Sequence, residues 1–144
     1  MYKRQINDRG FEDVCEIADK PFVATHSNLR SICAHKRNLT EAQFKEIVRR
    51  KGLVGLNLYR KFLSDEGEGD ADDLLRHVYR MLELGGEDVI ACGGDLDGAD
   101  VHPSLNSPYK FATAAQYFLK HQISEETVHK IFFQNALRFF VTYE

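Results

Sequence analysis

Three short apolar runs, at residues 22–25 (FVAT), 53–59 (LVGLNLY) and 88–92 (DVIAC), each break into a polar or glycine-containing loop, and a helical pattern follows each loop. No other feature of the 144-residue chain restricts its fold as strongly. β-Branched and aromatic residues suit a pleated surface, and Pro21 punctuates the start of the first run. The second run is apolar almost throughout, as in a strand covered on both faces. Strands that alternate with helices pair in parallel through right-handed crossovers. The order is therefore α, β, α, β, α, β and then helices, an α/β chain with about three parallel strands. In such sheets functional residues collect where the strands end at their C-termini.

The helices follow from spacing and caps. Phe11, Val14, Cys15 and Ala18 share one helical face, with Asp8 as the predicted cap. Thr40 and Gln43 form a capping-box pattern ahead of Phe44, Ile47 and Val48, and Gly52 is the predicted stop. A helix is expected over residues 70–84 with Leu74, Leu75, Val78, Met81 and Leu82 inward, ending at Gly85-Gly86. Two more are expected over 109–120 and from 125 to about 141, the latter with a break near Gln134-Asn135. Residues 64–73, SDEGEGDADD, lack the alternating ligand spacing of a calcium loop and read as a solvated loop and first helical turn.

Composition narrows the function classes. The net charge of -3 and the scattered Lys and Arg give no basic surface for nucleic acid. No apolar run reaches the roughly 20 residues that span a bilayer, so no transmembrane segment is expected. MYKRQIND lacks the apolar stretch of a signal peptide. Cys15, Cys33 and Cys92 are odd in number with no CxxC spacing, which points to packing roles and to a reducing, cytoplasmic location. A single domain fits the length.

The three strand ends carry His26, Asn57 with Tyr59, and Asp95 in the loop GGDLDG. A neutral imidazole binds a divalent metal, an Asp binds metal or moves a proton, and an Arg clamps a carboxylate through two parallel hydrogen bonds. His26, Arg37 and Asp95 would supply one of each. A His at a strand end, such as His26 taken alone, is more often an ordinary polar residue; Arg37 is equally a surface residue ahead of a helix, and Asp97 reads first as a turn residue bonded to its own backbone. His35, His77, His102, His121 and His129 do not complete the three protein ligands that a catalytic zinc takes.

The segments PFVATHSN, RNLT, GLVGLNLY, GGDLDG and SEETVHKIFFQNALRFF, in this order and spacing, resemble the carboxy-terminal part of the membrane (renal) dipeptidase family, zinc metallopeptidases of the amidohydrolase superfamily. The resemblance spans residues 6–142. It implies the C-terminal part of a (β/α)8 TIM-like barrel, and hydrolysis of dipeptides with a free C-terminal carboxylate. It also implies two zinc ions whose bridging hydroxide attacks the peptide carbonyl. On its motifs, His26 becomes a ligand of one zinc, Arg37 grips the substrate carboxylate, Tyr59 lies in the substrate site and Asp95 handles the proton.

The family's amino-terminal His-x-Asp pair, bridging Glu and further His have no counterpart here. MYKRQ stands where a strand leading to that His is expected, so residues 1–5 are expected not to be native family sequence. The chain is thus expected to be a single partial domain over 1–144, inactive alone and weak in zinc binding, with open sheet edges that favour homo-oligomers. The competing expectation is a standalone, non-enzymatic α/β domain that binds a partner through its open sheet.

Overall fold

A computed structural model describes residues 6–143, so the expectation for residues 1–5 lies outside the described residues. The elements in chain order are α1 (Asp8–Ile17), β1 (Val23–Ala24), α2 (Glu41–Arg49), β2 (Leu53–Asn57), α3 (Arg60–Leu63), α4 (Ala71–Glu83), β3 (Ile90–Gly94), α5 (Tyr109–Lys120), α6 (Glu125–His129) and α7 (Asn135–Tyr143). A 3-10 turn, Leu96–Gly98, follows β3, and a π-helical turn, Lys130–Gln134, joins α6 to α7.

Among the described residues one sheet forms, in the order β1-β2-β3, with every pairing parallel. Val23 pairs with Leu53, and Val54 with Ile90. All three strands therefore end on one rim. The main core lies on the helix-covered face of the sheet, where Val54, Leu56 and Ile90 meet Phe44, Ile47, Leu74, Val78, Met81, Phe118 and Ile131. Leu53 and Ala91 point to the other face and pack against Phe139 of α7.

The strands differ from the expected runs for local reasons. β1 is confined to two residues, because the chain turns into the rim at Thr25. β2 stops at Asn57 rather than Tyr59, since the Asn57 side chain accepts a hydrogen bond from the Tyr59 N–H (2.7 Å) and bends the backbone into α3. That short helix had no periodic signal in the sequence. β3 is displaced two residues toward the C-terminus, because the N–H groups of Val89 and Ile90 both turn back to the Gly86 carbonyl (2.9 and 3.1 Å).

Two caps also differ. Asn7, not Asp8, caps α1, accepting from the Gly10 N–H at 2.8 Å, and Asp8 is released to pair with Arg30. Lys51, not Gly52, takes the left-handed conformation after α2 (φ 57), while Gly52 packs where a Cβ would strike the Phe22 carbonyl and the Ile47 side chain. The Thr40–Gln43 capping box forms as expected, and Asp70 with Asp73 forms a second. The π turn sits at the expected break, and just beyond it Asn135 donates to the carbonyls of Glu87 and Ile90, both at 2.8 Å.

His77 of α4 is fully buried. Its Nδ1 accepts from the Leu29 N–H (3.1 Å), and its Nε2 donates to the Leu63 carbonyl (3.1 Å), which fixes a neutral tautomer. Burial pushes its pKa down to about 4. In the unfolded chain the ordinary value of about 6.5 applies, so the unfolded state holds the extra proton between these values. Stability is then complete above pH 6.5 and falls as pH drops toward 4, by up to roughly 3 kcal/mol. Thermal midpoints measured across this window are expected to fall with pH in the native chain. His77→Gln is expected to be less stable at neutral pH and to show a flatter profile there.

Candidate functional site

The rim is built from the three strand ends and the loop between β1 and α2. His26 lies two residues past β1, after Thr25. Its Nδ1 shares a 2.7 Å hydrogen bond with the Thr25 hydroxyl. With Nδ1–H as donor to Thr25, Nε2 carries the lone pair that a metal takes. The next N–H, that of Ser27, donates to the Gly55 carbonyl at 2.7 Å, so the loop leaves β1 still bonded to β2.

Asn57 ties the strand ends together. Its Nδ2 donates to the His26 carbonyl (3.3 Å), and it pairs with Gly94 at the end of β3 across a register irregularity. Its N–H donates to Asn28 Oδ1 (3.0 Å), while Asn28 Nδ2 donates back to the Asn57 carbonyl (2.9 Å) and to the Phe62 carbonyl (3.2 Å). Asn38 Nδ2 reaches the same Phe62 carbonyl (2.9 Å) and that of Cys33 (3.0 Å). These three asparagines are buried. An unsatisfied amide in their place costs about 1–3 kcal/mol, so the reciprocal bonds determine where the loop lies.

His26 and Arg37 line one cavity of about 190 Å³, together with Ser27, Arg30, Lys36 and Asn38. Asp8 lies at this cavity too, held to Arg30 by two hydrogen bonds (2.9 and 2.8 Å), and Arg30 pulls its carboxyl down to about 2. With Arg30 paired to Asp8, Lys36 and Arg37 are the other Lys and Arg side chains of the described lining. The Arg37 guanidinium lies 5.1 Å from the centre of the Phe62 ring.

Asp95 stands at the end of β3 on the same rim, outside the lining of that cavity. Its φ of 63° is left-handed and follows Gly94 at 68°. Asp tolerates this region better than most residues, and two such residues in succession turn the chain sharply off the sheet. Tyr59 also lies outside the cavity lining. It makes an antiparallel bridge to Val101, and its ring meets Phe62 edge-on at 4.7 Å.

Close approach of backbones is built into the rim. A Cβ at Gly55 or at Gly93 would strike the Thr25 carbonyl oxygen, and one at Gly55 would also lie 2.9 Å from Gly93 Cα. The glycine in LVGLN is required by this contact.

The structure brings His26 and Arg37 to one cavity and Tyr59 and Asp95 to neighbouring points of the same rim. Phe62 had no distinguishing sequence signal. Asn28 and Asn38 lie in the segments PFVATHSN and RNLT, and Asn57 interrupts an apolar strand, but nothing in those letters shows the bonds that join the three. Among the described residues, no three His, Cys, Asp or Glu side chains gather closely enough to hold a metal ion. His77 is committed to the core and His102 to the Ser104 hydroxyl (2.8 Å). The described residues therefore do not by themselves fit the zinc pair that the sequence resemblance implies. The thiols of Cys33 and Cys92 are pushed up by burial to about 11 and about 12, which makes them packing residues rather than nucleophiles or thiolate ligands.

Parallel strands joined by helices and ending on one rim fit part of an α/β barrel, and comparison with known proteins agrees. The solved metallopeptidase of Rhodobacter sphaeroides, liganded with a phosphinate mimic of the dipeptide L-Ala-D-Ala, superposes with a TM-score of 0.88 at 31% identity, over 94% of this chain and 40% of that one. The solved dipeptidase AC, a metallopeptidase of family M19, gives 0.87 at 31% identity, over 93% and 41%. An uncharacterized protein in the pqqA 5′ region of Klebsiella pneumoniae is 36% identical over 104 residues, 69% of this chain and 38% of that protein. The membrane dipeptidase family, peptidase family M19, matches residues 5–144, and the chain belongs to it. The chain spans about 40% of the length of these relatives. No helix among the described residues is long and apolar enough to cross a membrane.

Gly55→Ala is expected to lower stability by about 2–4 kcal/mol, because the added methyl meets backbone on two sides. Urea unfolding followed by circular dichroism reads this directly. An alanine that unfolds at the native midpoint contradicts the close packing of the rim.

Proposed function

We propose that this chain carries the substrate-binding and proton-transfer part of a zinc-dependent dipeptidase site. Arg37 grips the free C-terminal carboxylate of a dipeptide. Its planar guanidinium offers two parallel N–H donors, and the neighbouring Lys36 raises the local attraction for an anion. Tyr59 flanks the bound dipeptide. Asp95 moves the proton at the scissile amide, presented at the strand end by the left-handed turn through Gly94. His26 contributes one ligand to one zinc. The remaining ligands are not among the described residues, so no step is assigned to the metal, and the chain by itself does not turn over dipeptides.

The observation that carries this reading is the common rim: the carbonyl of His26 is bonded to Asn57, and Asn57 is paired with Gly94, next to Asp95. The likeness to a metallopeptidase crystallised with a mimic of L-Ala-D-Ala supports the substrate class.

A chimera tests it. Residues 6–144 replace the corresponding segment of the Rhodobacter sphaeroides enzyme, and hydrolysis of L-Ala-D-Ala is measured with zinc. The chimera is expected to be active. Arg37→Ala is expected to raise KM by about 100-fold with a smaller effect on kcat, the cost of losing a charge-paired anchor. Asp95→Asn is expected to lower kcat by about 10²- to 10⁴-fold. An active chimera indifferent to both changes would refute the assignment. Separately, the isolated chain with added zinc is expected to stay at background hydrolysis, and turnover well above background contradicts its inactivity.

A further inference from the structure

The loop that carries Arg37 rests on one aromatic side chain, Phe62 of α3, which is buried. The Arg37 guanidinium carbon lies 5.1 Å from its ring centre, within the range of cation–π attraction. On the same ring, His35 lies tilted at 4.5 Å and Tyr59 stands edge-on at 4.7 Å. The Phe62 carbonyl accepts from Asn28 (3.2 Å) and from Asn38 (2.9 Å), so both ends of the loop are fastened to this residue's backbone as well. One residue thus touches both side chains assigned above to the dipeptide.

We propose that Phe62 is a positioning residue for the dipeptide carboxylate: its ring fixes the plane of the Arg37 guanidinium and the orientation of Tyr59. This rests on the assignment of Arg37 as the carboxylate clamp. The physical basis is the shape of the guanidinium. It stacks through its flat face and donates hydrogen bonds through its edge, so a ring beneath it does not compete with a carboxylate beside it. An arginine without such a platform has many rotamers, and the ligand must order it on binding. Leucine at 62 keeps an apolar side chain there but has no negative ring face to hold a cation.

The test is nuclear magnetic resonance on the full chain, titrated with glycylglycine and, as the control without a carboxylate, glycylglycinamide. In the native chain the Arg37 Nε–H resonance is expected to be displaced by the Phe62 ring current, and glycylglycine is expected to bind more tightly than its amide. Phe62→Leu is expected to remove that displacement and to weaken glycylglycine binding about fivefold, leaving the amide's binding unchanged. Phe62→Tyr is expected to retain both properties.

A native Arg37 resonance with no ring-current displacement overturns the proposal, and this holds even if Phe62→Leu does not fold. A folded Phe62→Leu chain with native affinity for glycylglycine overturns it as well. If Arg37→Ala abolishes binding while Phe62→Leu does not, only the role of Phe62 falls. If Arg37→Ala binds glycylglycine as the native chain does, or if the native chain shows no saturable binding, the assignment of Arg37 fails and the role of Phe62 with it.

Discussion

The rim depends on a small set of buried amides. Asn28 and Asn57 exchange hydrogen bonds between the β1 loop and β2, and Asn28 and Asn38 converge on one carbonyl in α3. His77 closes the set by bonding the loop at Leu29 and α3 at Leu63. Each group lies where water cannot replace a lost partner, so displacement of any one strands another. Apolar packing alone would leave the 26–38 loop free to slide, because hydrophobic contact is not directional. The amides give it one position, and that position brings Arg37 and His26 to a common cavity.

The second constraint is steric. Gly55 and Gly93 let the Thr25 carbonyl pass over the end of the sheet, and Gly94 with Asp95 then turns β3 away from it. Side chains at these glycines would push the strand ends apart. The left-handed Asp95 is a cost of about 1–3 kcal/mol, carried by the surrounding structure at the rim.

Much of this was legible in the sequence. The three apolar runs, the alternation with helices, the capping box at Thr40 and the break near Gln134-Asn135 each have a local signal, and each formed. His26, Tyr59 and Asp95 were placed at strand ends by the same reasoning. What could not be seen was tertiary. α3 has no periodicity of its own and exists because Asn57 bends the chain. Asn7 outcompetes Asp8 as a cap because Arg30, 22 residues away, claims the carboxylate. His77 looked like any helical histidine until two backbone groups from distant segments were seen to converge on it. Phe62 was one phenylalanine among ten. What sets it apart is only the side chains that the fold gathers around its ring.

The central proposal is that Arg37 and Asp95, far apart in sequence, address the free carboxylate and the scissile amide of one bound dipeptide. The most direct measurement is a crystal structure of the chimeric enzyme with the phosphinate mimic of L-Ala-D-Ala. The account predicts the ligand carboxylate on the Arg37 guanidinium, and the Asp95 carboxyl beside the phosphinate group. A ligand held with its carboxylate away from Arg37, or with Asp95 turned out of the rim, would contradict it.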